Sequence, residues 1–119
     1  MKVLITGSYG FIAQNLIEHL KRDEEIELYL YSKKDSENIL EAYVKEVDFI
    51  FHLAAYNHVG NSFLHVGEAL ETNSNGTANL FETLKDYEKF IYISTSEVYG
   101  QQDSIPFVEH LYPHPNSPY

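Results

Sequence analysis

Val3-Leu4-Ile5-Thr6-Gly7-Ser8-Tyr9-Gly10-Phe11-Ile12-Ala13 decides how this chain is read. An apolar run is followed by two glycines three apart and a small residue three further on. A buried strand that turns sharply into a helix needs this order. Gly7 permits the tight turn, Gly10 lets a phosphate approach the backbone, and Ala13 lets helix and strand pack closely. The unpaired N–H groups at the helix start then face the diphosphate of a dinucleotide. Taken alone, the loop also fits an ordinary strand–turn–helix without a ligand.

Outward from that loop, strands and helices alternate. Lys2 to Thr6 reads as a buried strand, Phe11 to Lys21 as a helix with Phe11, Ile12, Leu16, Ile17 and Leu20 as its apolar positions. Ile26 to Tyr31 reads as a second strand. Ser36 to Lys45 reads as a short helix with Asp35 or Ser36 as N-cap. Val47 to Leu53 is a third strand and Lys89 to Ser94 a fourth. Between them lies a long helix over Gly67 to Leu84, with Leu70, Ala78, Leu80, Phe81 and Leu84 as apolar positions. After Gly100 the chain becomes loop-like, carrying Pro106, Pro113, Pro115 and Pro118. Such alternation predicts right-handed crossovers and a parallel sheet, an α/β fold of Rossmann type with three αβα layers. Ligands in these sheets bind beyond the carboxyl ends of the strands. That rule selects the Gly7 loop, the loop after Leu53 and the loop after Ser94.

Composition bounds the partners. The sequence has 119 residues, enough for one domain over 1–119 with a real core. A net charge of −10 argues against binding the phosphate backbone of nucleic acids. There is no cysteine, so disulfides and thiolate metal sites are excluded, which suits the cytoplasm. No apolar run approaches a membrane span, and no signal peptide is apparent at the N-terminus. His52, His58 and His65 are close in sequence, as are His110 and His114. Pro113 separates the last two, so helical spacing fails, and the histidines read as packing or surface residues with no metal.

Further motifs follow the third and fourth strands. The small residues of His52-Leu53-Ala54-Ala55 would let a cofactor lie against the backbone. Glu71-Thr72-Asn73-Ser74-Asn75-Gly76-Thr77 is unusually polar for a helix facing a core. Asn73 there is placed to hold the loop after a neighbouring strand by hydrogen bonds, with a solvated helix face as the alternative. Ser94-Thr95-Ser96-Glu97-Val98-Tyr99-Gly100 puts hydroxyls and a carboxylate where substrate would lie.

With Thr6-Gly7-Ser8-Tyr9-Gly10-Phe11-Ile12-Ala13, His52-Leu53-Ala54-Ala55, Asn73-Ser74-Asn75-Gly76-Thr77, Ser94 to Gly100 and Pro118-Tyr119 in this order, the chain resembles the extended short-chain dehydrogenase/reductase family. It is similar to that family's nucleotide-sugar epimerases, dehydratases, decarboxylases and reductases. The resemblance implies an NAD or NADP cofactor, with Gly7, Gly10, Phe11 and Ile12 at its diphosphate. Leu53, Ala54 and Ala55 would line it, and Ser32, Lys33, Asn73 and Ser94 complete the implied cofactor set. Thr95 matches the catalytic Ser/Thr that bonds the reacting sugar oxygen. Tyr119 matches the tyrosine of the Tyr-x-x-x-Lys pair that exchanges the proton. A free phenol, near ~10, is a poor base at neutral pH, so that chemistry calls on a neighbouring ammonium and the cofactor's positive ring. Glu97 is either an acid/base or a structural loop residue. The implied partners are a nucleotide sugar and, at full length, a second copy in a homodimer.

The chain departs from the family in several places. The sequence stops at Tyr119, before the paired lysine and the sugar-nucleotide-binding part, and so reads as a truncated, inactive N-terminal fragment lacking the substrate domain. Tyr119 then reads as a chain end without a fixed position. A non-catalytic dinucleotide-binding module is the alternative. Ala13 replaces the third glycine. The second strand ends without the carboxylate that grips a ribose 2′-hydroxyl, while Lys33 or Lys34 is available to a 2′-phosphate, a lean toward NADP. Between Ser32 and Asp48 there is room for one helix and no extra strand, as in some of the family's reductases. Ser96 stands where the 4,6-dehydratases have Asp, which counts against dehydration.

Overall fold

The computed structural model describes residues 1–35, 37–43, 47–84, 86–103 and 105–119. Its strands are β1 (Lys2–Thr6), β2 (Glu27–Tyr31), β3 (Phe49–His52) and β4 (Lys89–Tyr92), all parallel, in the order β2-β1-β3-β4. The register levels their carboxyl ends, since Thr6 lies beside both Tyr31 and His52, and His52 beside Tyr92. At the opposite end Asp48 ties the start of β1, accepting from Lys2 N–H through its side chain at 2.8 Å and donating its own N–H to Lys2 O at 2.9 Å.

β1 is central and almost wholly buried because both its faces are covered. Its alternate residues enter two separate cores. Val3 and Ile5 pack with Ala13 and Ile17 of α1 (Phe11–Leu20). On the other face, Leu4 packs with Val47, Ile50, Leu80 and Leu84, beside Leu40 and Tyr43 of α2 (Glu37–Tyr43). Burying each of the fully buried Val, Leu and Ile side chains among these stabilises the fold by about 2 kcal/mol. The result is the three-layer α/β sandwich expected from the alternation. Residue 36, offered above as a helix cap, and residues 44–45 of the expected helix lie outside the described residues.

The long helix is a composite. α3 (Val59–Leu64), which the sequence reading assigned to no element, precedes α4 (Val66–Leu70), a π turn (Glu71–Asn75) and α5 (Gly76–Thr83). Gly76 N–H bonds the Glu71 carbonyl, closing the wider turn. Two readings of apolar faces are corrected. Leu70 and Phe81 are each 47% exposed and Ala78 is exposed, so of the expected positions only Leu80 and Leu84 are buried. The inward face runs instead through Ala69, Asn73, Thr77 and Leu80. It is partly polar because it lies over the strand ends, where it bonds to loops rather than packing on them. Phe11 and Ile12 are 85% and 62% exposed, since the first turn of α1 lies outside the core that Ala13 and Ile17 form with Val3 and Ile5.

Candidate functional site

From β1 the chain moves to β2 on one side, then returns past β1 to β3 on the other. This reversal opens a crevice between the carboxyl ends of β1 and β3, the position where open α/β sheets take ligands. Gly7 and Ala54 meet there. Gly7 has φ +68°, and a Cβ on it would stand 2.7 Å from Ala54 N and 2.8 Å from its Cα. Only glycine satisfies both demands. The loop is pinned by Ser8 N–H donating to Tyr31 O at 3.2 Å, Gly10 N–H to Gly7 O at 2.8 Å and the Gln14 amide to Ser8 O at 2.6 Å.

α1 begins at Gly10 with no side-chain cap and no acidic residue in its first turn. Its leading amides, including those of Phe11 and Ile12, therefore keep their unmet hydrogen-bonding capacity and the positive end of the helix dipole. A Cβ on Gly10 would meet Gly7 O at 3.2 Å and nothing else within van der Waals range. These features fit an anionic diphosphate resting on main-chain amides.

At the end of β2, Ser32 is buried and Lys33 exposed, and both line a cavity of about 450 Å³ that also touches Thr6, His52 and Ala54. Lys34 turns away, its ammonium 5.3 Å from the Tyr9 ring centroid. The turn after β2 brings a carboxylate onto Ser32. Asp35 folds back, and its Oδ2 accepts from Ser32 N–H at 2.7 Å and Ser32 Oγ at 3.0 Å. Sequence offered a signal in the Ser-x-x-Asp spacing, a common turn pattern.

After β3, Leu53 is half-buried against the α1 core, Ala54 is half-buried and Ala55 is exposed. Asn73, in the π turn, grips the next residue of that loop from both sides: Tyr56 N–H donates to Asn73 Oδ1 at 2.7 Å, and Asn73 Nδ2 donates to Tyr56 O at 3.1 Å. The same Nδ2 donates to Tyr119 O at 3.3 Å. Replacing Asn73 with Ala should cost about 1–3 kcal/mol, because Tyr56 N–H and O lose their partners in a half-buried place. Chemical denaturation reads the loss, and hydrogen exchange should locate it at the Tyr56 amide. An unchanged midpoint together with unchanged exchange would show the clamp to be energetically idle.

His52, read from sequence as a packing or surface residue, is buried and bonded through both ring nitrogens. Nδ1 lies 2.7 Å from Thr6 Oγ1 and Nε2 lies 3.0 Å from Thr77 Oγ1. Burial disfavours its cation and pushes its pKa below the usual histidine value. His58 caps α3 by accepting from Asn61 N–H at 3.1 Å. Among the described residues, no three His, Asp or Glu side chains converge as a metal site would require.

Beyond β4, a 3₁₀ turn (Ser96–Tyr99) carries the second group of candidates. Thr95 caps it, its hydroxyl accepting from Glu97 N–H at 3.3 Å. Thr95, Glu97 and Tyr119 share a cleft of about 180 Å³ with Val98, Pro115 and Pro118. Ser94 is exposed. Tyr119 is half-buried and its carbonyl is held by Asn73, which corrects the expectation of an unfixed chain end. The reason is the return of the terminal segment along the 3₁₀ turn, where His114 N–H donates to Val98 O at 2.9 Å.

A family model described as GDP-mannose 4,6 dehydratase matches residues 13–119. The chain belongs to that family, within the extended short-chain dehydrogenases/reductases. It is 36% identical over 129 aligned positions to a dTDP-D-glucose 4,6-dehydratase from Dictyostelium discoideum, covering 83% of this chain and 30% of the relative. It is 30% identical to a GDP-6-deoxy-D-mannose reductase from Pseudomonas aeruginosa, covering 99% of this chain and 42% of the relative. Among solved structures, it superimposes with a TM-score of 0.89 and 26% identity on UDP-glucuronic acid 4-epimerase from Bacillus cereus bound to UDP-glucuronic acid and NAD. That match covers 99% of this chain and 47% of the epimerase. A second neighbour, RMD from Pseudomonas aeruginosa complexed with NADPH, matches with a TM-score of 0.80 and 29% identity, over 99% and 44% of the two chains. This family member thus spans less than half the length of these relatives. Among its described residues, no helix is long and apolar enough to cross a membrane.

Proposed function

We propose that this chain is the dinucleotide-binding portion of an NAD(P)-dependent oxidoreductase that acts on a nucleotide sugar, as an epimerase, reductase or decarboxylase. The observation that carries the reading is the Gly7 turn pressed against Ala54 at the β1–β3 crevice, with the uncapped α1 start above it. In this reading Gly7, Gly10 and the amides of Phe11 and Ile12 hold the diphosphate, and Leu53, Ala54 and Ala55 form the floor under the cofactor. When bound, the nicotinamide accepts or returns a hydride at a sugar carbon. Thr95 bonds the reacting oxygen, Tyr119 exchanges its proton, and Glu97 orients the sugar or serves as a second acid/base. Their shared cleft supports these roles. Ser96, in place of the dehydratases' Asp, disfavours dehydration. Little or no turnover is proposed for these 119 residues by themselves.

The lean toward NADP rests on Lys33, which lines the cavity beside Ser32. Asp35 works against it by occupying the two Ser32 donors that a 2′-phosphate would use. We therefore propose a modest preference for NADP, of less than about tenfold. Exposed Phe63, Leu64, Leu70 and Phe81 on the helical layer support a homodimer in the full-length protein. Separate calorimetric titrations with NAD and NADP are the test. Saturable binding of either supports the reading, and no heat from either at millimolar concentrations, in a folded chain, overturns it.

A further inference from the structure

We propose that His52 is a positioning residue. As a neutral ring protonated on Nε2, it locks the glycine loop to the helix carrying Asn73, and a second proton on the ring loosens dinucleotide binding at the crevice. The proposal rests on the dinucleotide reading above and adds a residue that acts through others.

Hydrogen-bond accounting fixes the tautomer. The Thr77 hydroxyl donates its single proton to Asn73 O at 2.7 Å. Its 3.0 Å contact with His52 Nε2 therefore requires the proton on the ring. On the other side, Thr6 Oγ1 accepts Ala54 N–H at 3.2 Å and lies 2.7 Å from a bare Nδ1, to which it donates. The chain of bonds runs from Ala54 and Thr6, beside Gly7, through His52 and Thr77 to the backbone of Asn73, whose side chain holds Tyr56 and Tyr119 O. Four segments distant in sequence thereby share one frame.

A second proton has no place in it. On Nδ1 it would point at a hydroxyl that already receives Ala54 N–H, and Thr6 would have to turn its own hydrogen toward another acceptor. Thr6 is 2% exposed, so water is excluded from that role. The surroundings do not reverse this preference. β4 contributes the rings of Phe90 and Tyr92, whose centroids lie 5.9 and 5.8 Å from that of His52. Glu41 of α2, Glu71 of the π turn, Glu82 of α5 and Lys33 after β2 line the same cavity. All four are exposed to solvent, which screens them.

The test uses the full chain. Nitrogen NMR of the His52 ring at neutral pH should report the Nε2–H tautomer, and the Nδ1–H tautomer overturns the proposal. Dinucleotide affinity, titrated from about pH 8 down to about pH 5, should fall progressively as the ring takes up its second proton, at a pH below the ordinary histidine value of about 6.5. His52→Gln keeps a donor and an acceptor but does not titrate, so this fall should vanish. His52→Phe keeps a ring without polar atoms, and should bind about tenfold more weakly with faster exchange at the Tyr56 amide. Identical pH profiles for wild type and His52→Gln, or wild-type affinity in a folded His52→Phe, overturn the role. A wild-type chain that binds neither dinucleotide defeats the functional reading instead, and the tautomer and Tyr56 exchange still judge the frame.

Discussion

Gly7→Ala is expected to abolish measurable dinucleotide binding and to destabilise the fold by about 3 kcal/mol. Two costs add. An L-residue at φ +68° loses roughly 1–2 kcal/mol to contact between its Cβ and its own backbone. The new methyl also meets Ala54 N at 2.7 Å, Ala54 Cα at 2.8 Å and Leu53 C at 2.9 Å. These are backbone atoms at the end of β3, unable to swing aside as a side chain would, and overpacking of this kind costs about 1–3 kcal/mol. The least costly relief separates β1 from β3 at the crevice, which is where the diphosphate would rest. Gly10→Ala is the contrasting variant. Its φ of −72° suits any residue and its Cβ meets only Gly7 O, at 3.2 Å, so the fold should lose no more than about 1 kcal/mol. Binding should still weaken, because the methyl stands where the phosphate approaches. Urea denaturation and calorimetric titration of both variants separate the two effects. Wild-type affinity in Gly7→Ala would sink the dinucleotide assignment.

For Gly100→Ala, the expected result is release of the terminal segment while the sheet stays folded. Gly100 has φ +58° and ψ −141°, a region that residues with a side chain avoid at a cost of about 1–3 kcal/mol. A Cβ there would also overlap the His114 carbonyl oxygen. Against this strain stand few bonds: His114 N–H to Val98 O at 2.9 Å, the Gln102 amide to Tyr99 O and Tyr112 O at 2.6 and 3.2 Å, and Asn73 to Tyr119 O at 3.3 Å. Each contributes about 1 kcal/mol net. The overlap is with backbone, which cannot swing aside, and it adds to the strain at the point where the terminal segment returns, whereas both cores lie elsewhere and lose nothing. Tyr119 should then leave the cleft it shares with Thr95 and Glu97. Amide exchange at His114 should accelerate by at least about tenfold with little change in the unfolding midpoint. Unchanged exchange at His114 would refute this account of how Tyr119 is held.

The stability of the fold should also depend on acid in a defined direction. Burial lowers the pKa of His52 in the folded chain, so the unfolded chain binds the proton more readily. The stabilisation from its neutral form is complete above the unfolded value of about 6.5 and is lost as pH falls below it, levelling once the folded value is passed.

The strand–glycine–helix unit was legible because it is local. An apolar run ending in Gly7, followed by the amphipathic spacing of Ala13 and Ile17, needs no distant partner to be recognised. The parallel sheet followed from alternation alone. Helix faces were less legible, since Leu70 and Phe81 are apolar yet exposed, while Asn73 and Thr77 face inward to bond the loop after β3 and the end of β3 itself. Hydropathy cannot announce a buried face whose purpose is hydrogen bonding. Asp35, a candidate cap for the following helix by sequence, likewise has its carboxylate on Ser32 only because the turn folds it back.

By itself, the order of residues determined the α/β alternation, the turn at Gly7 and the candidate groups at each strand end, because these depend on backbone conformation and on spacings of a few residues. Only the tertiary structure decided that Thr6, His52, Thr77 and Asn73 form one frame and that Tyr119 lies beside Thr95 and Glu97. Those contacts join residues far apart along the chain, and only packing on the common sheet brings them within bonding distance.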